Sequence, residues 1–491
     1  MIERYAQEDI TAIFSDKTKV KRWQDTEIAV TQAYTESHEF SEADFREFKG
    51  ALLAHPVDLK WWKRRDEKIH HDLNAFLEER ARRLPTRLQP LLHSNMTSYD
   101  TQEAAFARTL IDASHLVLKE LAKLKEVLQA QALKHRFSLM VGKTHGQQGE
   151  LQTHGKRCIT WLRALEADRL LIEQAKAKLR YSKISGAVGN WGPIHPDIER
   201  RALEILGLEP YCGATQIIPR EIYTPLADAL AQTVLTIDKI ALDIRLNART
   251  PLPLYHEPFA KEQKGSSAMP HKKNPINTEQ LEGMGRMAST YAAGIKQNIR
   301  TWEERAIEQS CVERVFWPDL FHVTMRAVSV LTKVLKGLVI YRHNMLIEII
   351  LSRGCYATAG AKEVLKQLVE PHGLKAEDAY RVIQLAAFNI FEYSGPVLSM
   401  PKSLDQAEQQ LAEFTATWQF ETQPTTLADY VMRAELQPSS QLKASAWKIK
   451  QWNRALRKVF VCPQARLEWT EAFRPTNVLK HEAHLFEQLC A

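Results

Sequence analysis

The chain has 491 residues, of which 44% are hydrophobic and 25% charged, and 66 Lys and Arg against 59 Asp and Glu give it a net charge of +7. That length exceeds one ordinary domain and can bury a large core, and the composition excludes a disordered or fibrous chain. The mild positive balance falls short of a nucleic-acid-binding stripe but suits an anionic small substrate. Cys158, Cys212, Cys311, Cys355, Cys462 and Cys490 form no CxxC pair, which argues against zinc and a disulfide scaffold and fits a reducing compartment. The opening MIERYAQEDI lacks an apolar h-region, and the most apolar stretch, 328–351, is broken by Lys333, Lys336, Arg342 and Glu348. We therefore expect a cytoplasmic protein with no signal peptide and no membrane contact.

Residues 1–101 read as polar and irregular, with short helical patterns. Arg4-Tyr5 alone reads as a frayed terminus, and His70-His71-Asp72-Leu73 as histidines on a helix surface. The run 93–100, HSNMTSYD, puts Thr97 and Ser98 ahead of a helix. Hydroxyls there cap the helix, and free N–H groups there also hold anions. From Gln102 onward Leu110, Val117, Leu121, Leu124 and Leu128 recur on one helical face, as do Leu226, Leu230, Val234, Ile237, Ala241 and Ile244 in the helix expected over 221–249. Stretches 162–179, 275–300 and 311–340 are also helical in pattern. Helices of twenty to thirty residues, roughly 30–45 Å long, need partners along their length. The expected fold is all-α: 1–101 an N-terminal helical domain, 102–352 a central long-helix bundle shared between subunits, and 353–491 a C-terminal helical domain. The apolar stripes are core rather than a cofactor box, and no cofactor or metal is expected.

Polar inserts interrupt this bundle. They include Lys143-Thr144-His145-Gly146-Gln147, the Gly-rich turn 185–189, Thr215-Gln216 with Arg220, and the loop 263–276, QKGSSAMPHKKNPI. The loop has no apolar period, yet it lies between two long helices. Ser266 and Ser267 bring hydroxyls, Lys272 and Lys273 cations and Asn274 an amide, groups that together can take up a proton and stabilise an oxyanion. Glu279 lies just beyond, followed by Glu304-Arg305, Ser310 and Glu313-Arg314. Arginine suits carboxylate and phosphate because its planar fork pairs with both. Past about 352 the pattern weakens into shorter helices. The tail after 426 is basic and carries Trp447, Trp452 and Trp469, and its stretch 443–458 reads as a basic amphipathic surface helix.

The run GSSAMPHKKNP resembles the signature loop of the fumarase/aspartase superfamily of lyases, and its His271 form is similar to the branch that cleaves adenylosuccinate. Other stretches agree in family order over about residues 1–400: Arg4-Tyr5, the HDxxAF-like 71–76, Thr97-Ser98, THGQ at 144–147, SGAVG at 185–189, Gln216, and the ER…S…ER pattern at 304–314. The resemblance implies a three-domain fold whose central bundle forms the core of a homotetramer. It also implies β-elimination of fumarate from a succinylated purine nucleotide: adenylosuccinate to AMP, and SAICAR to AICAR. By that resemblance Ser266 is the base, His145 the acid and Lys272 the cation that stabilises the aci-carboxylate, with Asn274 adding a hydrogen bond. Glu279 orients His145, and His71 assists it. Arg4, Tyr5, His70, Asp72, Thr97, Ser98, Thr144, Gln216, Arg305, Ser310 and Arg314 bind substrate, and the sites are shared between subunits.

The sequence departs from the family at several positions. Tyr99 stands for a second serine, Asn190-Trp191 for a small or Tyr pair, His154 for an apolar residue, Ala306 for Asp, and Glu308-Gln309 for Ser-His. Argininosuccinate lyase or carboxymuconate cycloisomerase chemistry, and a catalytically silent homologue, are the competing readings. A nucleic-acid-binding module would rest on the basic tail alone.

Overall fold

The computed structural model describes residues 1–391, 400–417 and 425–490. Regular structure among them is helical apart from short two-stranded pairs, as the all-α expectation requires. The chain falls into two compact units: 1–128, 161–249 and 255–339 form the first, and 129–160, 250–254 and 340–491 the second.

In the first unit the helices Thr224–Leu246, Ile276–Gln297 and Glu308–Lys336 pack on one another. The stripe Leu226, Leu230, Val234, Ile237, Ala241 and Ile244 is buried, as its spacing predicts. The helix Ser98–Lys134 likewise buries Leu110, Val117, Leu121, Leu124 and Leu128. Burying one such side chain contributes about 1.5–3 kcal/mol, so the stripes alone hold these helices in place.

The N-terminal region is more regular than expected, because Asp16–Glu36 is a single helix of 21 residues. Its buried face includes Thr26, Thr31, Thr35 and Glu27, which is why no apolar period marks it. The three threonine hydroxyls donate to carbonyls one turn back at 2.9–3.1 Å. Glu27 accepts from the His93 backbone N–H at 2.9 Å and the Thr101 hydroxyl at 2.7 Å. A buried polar face is stable when each group is met in this way, and Glu27 thereby fixes the run that carries Thr97 and Ser98.

In the second unit a β-hairpin, Leu139–Thr144 with Gln147–Thr153, packs beside the helix Arg342–Leu351. The tail that the family pattern leaves unexplained builds this unit's core. Trp452 and Trp469 are buried with Phe460 among helices Thr358–Val369, Ala376–Phe391, Leu427–Arg433 and Ala446–Val459. Both indoles are satisfied, Trp452 by Asp378 and Trp469 by the Ala428 carbonyl, each at 3.0 Å. Trp447 is 71% exposed. No described helix is long and apolar enough to cross a membrane.

Candidate active site

Helix termini gather the polar side chains of the first unit. His70 takes a left-handed conformation that ends the helix Leu59–Ile69, and His71 caps the helix Asp72–Ala81. The His71 Nδ1 accepts from the Asn74 backbone N–H at 3.2 Å, so a neutral ring carries its proton on Nε2. Asp72 accepts from Gln102 at 3.3 Å and pairs with Arg314 at 3.1 Å. Thr97 and Ser98 are half-buried where Ser98–Lys134 begins, and the Thr97 N–H donates to Asp100 at 2.7 Å. Asp100 in turn holds the buried Lys183 at 2.6 Å and the Gly186 N–H at 3.2 Å, which fixes the SGAVG turn beneath the helix start. The positive end of a long helix and its unpaired N–H groups favour an anion here.

Asp72, Ser310 and Arg314 line a cavity of about 340 Å³ together with Tyr99, Gln102 and Glu103. Behind it, buried Arg220 pairs with Glu103 and with Glu313, each at 2.9 Å, and the Tyr223 hydroxyl donates to Glu103 at 2.6 Å. Burial pushes the Glu313 carboxyl up, against the pull of Arg220. Arg220, noted in the sequence beside Gln216, is thus a wall member engaged with two carboxylates. Above the same wall Arg305 donates to the Gln216 side chain at 2.9 Å and stacks on the Tyr99 ring at 3.8 Å. Gln216 donates to the Ala187 carbonyl at 3.2 Å.

The loop 263–276 is irregular and folds back on itself. Gly265 passes so close to the Lys272 carbonyl that a Cβ would lie 2.0 Å from its oxygen. The Ser266 hydroxyl is half-buried and accepts from the Met269 N–H at 3.1 Å; Lys272 is exposed and Asn274 half-buried. Buried Glu257 anchors the loop's far end, accepting from the Asn277 and Thr278 backbone N–H groups at 3.0 and 3.1 Å and from both their side chains. Glu279 is exposed and pairs with Arg245 at 3.4 Å. Arg4 and Tyr5 lie on the short 3-10 turn Glu3–Tyr5, with Arg4 exposed and Tyr5 beside Met284, Met287 and Val323.

His145 belongs to the second unit. Thr144 pairs with Gln147 across the hairpin, so His145-Gly146 is a two-residue turn, and both residues have positive φ, 53° and 75°. That is the type I′ geometry matching strand twist, usually made by Asn-Gly or Asp-Gly. With histidine in the first place the pair carries no hairpin signal, and the motif reads as a polar insert in the bundle. The turn leaves His145 exposed at the tip, while Lys143 pairs with Glu348 at 2.5 Å below it.

The structure therefore joins Asp72, Gln216, Arg305, Ser310 and Arg314 around one wall, and presents Ser266 and His145 on two separate devices. Sequence reasoning gave no role to Glu27, Glu103 or Glu257, and noted Gln309 only as a departure from the family pattern. Each is a buried polar residue whose partner lies far along the chain, and spacing carries no trace of such pairs.

Residues 5–289 match the family Lyase_1, described as lyase. An adenylosuccinate lyase from Synechocystis sp. is 34% identical over 398 residues, covering 80% of this chain and 90% of the relative. One from Thermotoga maritima is 32% identical over 384 residues, 78% of this chain and 87% of the relative. Among solved structures, the fumarate lyase of Mesorhizobium sp. aligns with a TM-score of 0.72 at 18% identity, covering 96% of this chain and 99% of the other. The β-carboxy-cis,cis-muconate cycloisomerase of Acinetobacter calcoaceticus aligns at 0.73 and 19%, covering 99% and 98%. At that identity the likeness speaks for the fold.

Proposed function

The chain belongs to the Lyase_1 family of lyases, and from that premise we propose that it eliminates fumarate from adenylosuccinate to give AMP, and from SAICAR to give AICAR. One observation carries the proposal. The loop GSSAMPHKKNP is intact within a chain that is 34% identical, over four-fifths of its length, to an adenylosuccinate lyase.

The chemistry assigns roles as follows. The hydrogen next to a carboxylate of the succinyl group is weakly acidic, so the anion left behind must be stabilised as it forms. Ser266, as its oxyanion, removes that proton, and Lys272 and Asn274 stabilise the aci-carboxylate. The electron pair then closes the C–C double bond and expels the purine nitrogen, which His145 protonates. Arg305 and Gln216 take a substrate carboxylate, with Thr97 and Ser98 at the helix start beside it. Arg314, Ser310, Arg4 and His71 Nε2–H take the phosphate, and Asp72 holds Arg314 in place by their 3.1 Å contact.

Within one chain Glu279 is engaged by Arg245. Its role as the partner that orients His145 belongs to an assembly in which several subunits complete each site. Leu235, Leu242 and Leu246, spaced seven and four apart on one exposed face of Thr224–Leu246, support a homotetramer built on these helices. We place the enzyme in the cytoplasm, with no nucleic-acid or membrane partner.

The test is an ultraviolet assay of the purified protein with adenylosuccinate. Release of fumarate and AMP is expected; absence of both from a folded oligomer overturns the proposal.

A further inference from the structure

Two departures from the family pattern, 210 residues apart, meet in the fold: the Gln309 amide donates to the Tyr99 hydroxyl at 3.0 Å. Tyr99 stands where the family carries serine and Gln309 where it carries histidine. Neither contact is incidental. Tyr99 is 6% exposed, and its hydroxyl reaches a partner at the end of a ring that a serine could not replace. Gln309 is itself pinned, its backbone carbonyl accepting from the Asn298 side chain at 2.9 Å and its side-chain amide donating to Glu313 as well at 3.3 Å. Glu313 is held by Arg220.

The free face of the Tyr99 ring is covered by Arg305, whose guanidinium carbon lies 3.8 Å from the centroid. A cation over a desolvated aromatic face is held in position and in plane. Gln216 takes one terminal nitrogen of Arg305 at 2.9 Å. The backbone just before Arg305 is tied as well, since the Glu304 carbonyl accepts from the Gln216 N–H at 3.2 Å and the Thr215 hydroxyl at 2.7 Å. The Arg305 Nε is buried without a partner, a donor still to be met.

We propose that Tyr99, locked by Gln309, is a positioning residue that fixes the plane of Arg305 for a substrate carboxylate. This rests on the lyase reading above. An arginine set in advance loses less freedom when it binds, so the gain appears in binding rather than in the chemical step.

The experiment is steady-state kinetics on adenylosuccinate with wild type, Tyr99→Leu, Tyr99→Phe, Tyr99→Ser and the double variant Tyr99→Ser/Gln309→His, each checked by thermal melting. Tyr99→Leu is expected to raise KM about tenfold with kcat within about threefold, whereas Tyr99→Phe, which keeps the ring face but loses the lock, is expected to raise KM about threefold. The double variant is expected to recover part of the KM lost in Tyr99→Ser, because the two positions are coupled. An unchanged KM in folded Tyr99→Leu overturns the proposal, as does an equal loss in the Leu and Phe variants, which would mark a purely structural role. Should Tyr99→Leu fail to fold, Gln309→Leu keeps the ring but unlocks it; a KM rise of about threefold is then expected, and no rise overturns the proposal. Fumarate release by wild type is read in the same assay, so loss of the lyase reading itself is told apart from loss of this inference.

Discussion

The two stretches that carry the proposed proton-transfer groups are built in opposite ways. His145 sits on a two-residue turn closed by a hydrogen-bonded ladder, so its backbone is set by the strands on either side. Ser266 sits in a loop with no regular structure, held at its far end by Glu257 and at its waist by the close pass of Gly265 against Lys272. The acid is thus presented by geometry that the strand twist dictates, the base by a few specific contacts. A ladder tolerates a poor side chain at its tip, whereas a loop with few anchors depends on each of them.

Substitutions can break that contrast, beginning with the groups themselves. Ser266→Ala and His145→Ala should each lower kcat by about 10²–10⁴-fold without moving the melting temperature. Mixing the two variant chains should restore part of the activity if sites are shared. Normal turnover in either variant, or no recovery after confirmed subunit exchange, counts against the assignment.

The two glycines sharpen the contrast further. Gly265→Ala drives a Cβ against the backbone of Lys272, so the loop must rearrange, and kcat should fall at least about tenfold. Gly146→Ala meets nothing within 4 Å, but its φ of +75° strains any side chain. It should lower stability by roughly 1–2 kcal/mol in denaturant unfolding while kcat falls less than in Gly265→Ala. The reverse order of effects on kcat would mean that the hairpin tip, not the loop, is the finely set device.

An effect that leaves turnover aside concerns the foot of the hairpin, where the His154 N–H donates to the Ser138 carbonyl at 2.8 Å. Burial, with His135 and Arg157 adding to it, pushes the His154 ring down to about 3 from 6.5. The unfolded chain therefore binds a proton below pH 6.5 that the folded chain refuses. This contribution to stability is whole above pH 6.5 and is lost as pH falls toward 3. From pH 7.5 to pH 5 the wild type should lose about 2 kcal/mol more than His154→Leu, measured by denaturant unfolding. Parallel losses in the two proteins would show that the ring does not stay neutral.

Much of this protein was legible in the sequence. The apolar stripes of Ser98–Lys134 and Thr224–Leu246 declared both helices and their buried faces, because burial on one side of a helix imposes a period that composition cannot hide. The loop around Ser266 declared itself by its lack of any period between such helices. The helix Asp16–Glu36 was obscured because hydrogen-bonded polar residues such as Glu27 and Thr31 are buried among its apolar ones and break the period. The hairpin was obscured because His-Gly is an uncommon turn pair. The tail was obscured because Trp452 and Trp469 acquire partners only when helices distant in the chain converge.

By itself, then, the order of residues determined which segments coil, which faces turn inward and which side chains have the chemistry for a lyase, since these follow from local spacing and functional groups. Only the tertiary structure decided that Gln309 reaches Tyr99, that Glu103 and Glu313 share Arg220, and that Glu257 secures the loop. Those pairings join positions 20 to 210 residues apart. A buried polar group is stable wherever any suitable partner meets it, so its own identity does not say which one will.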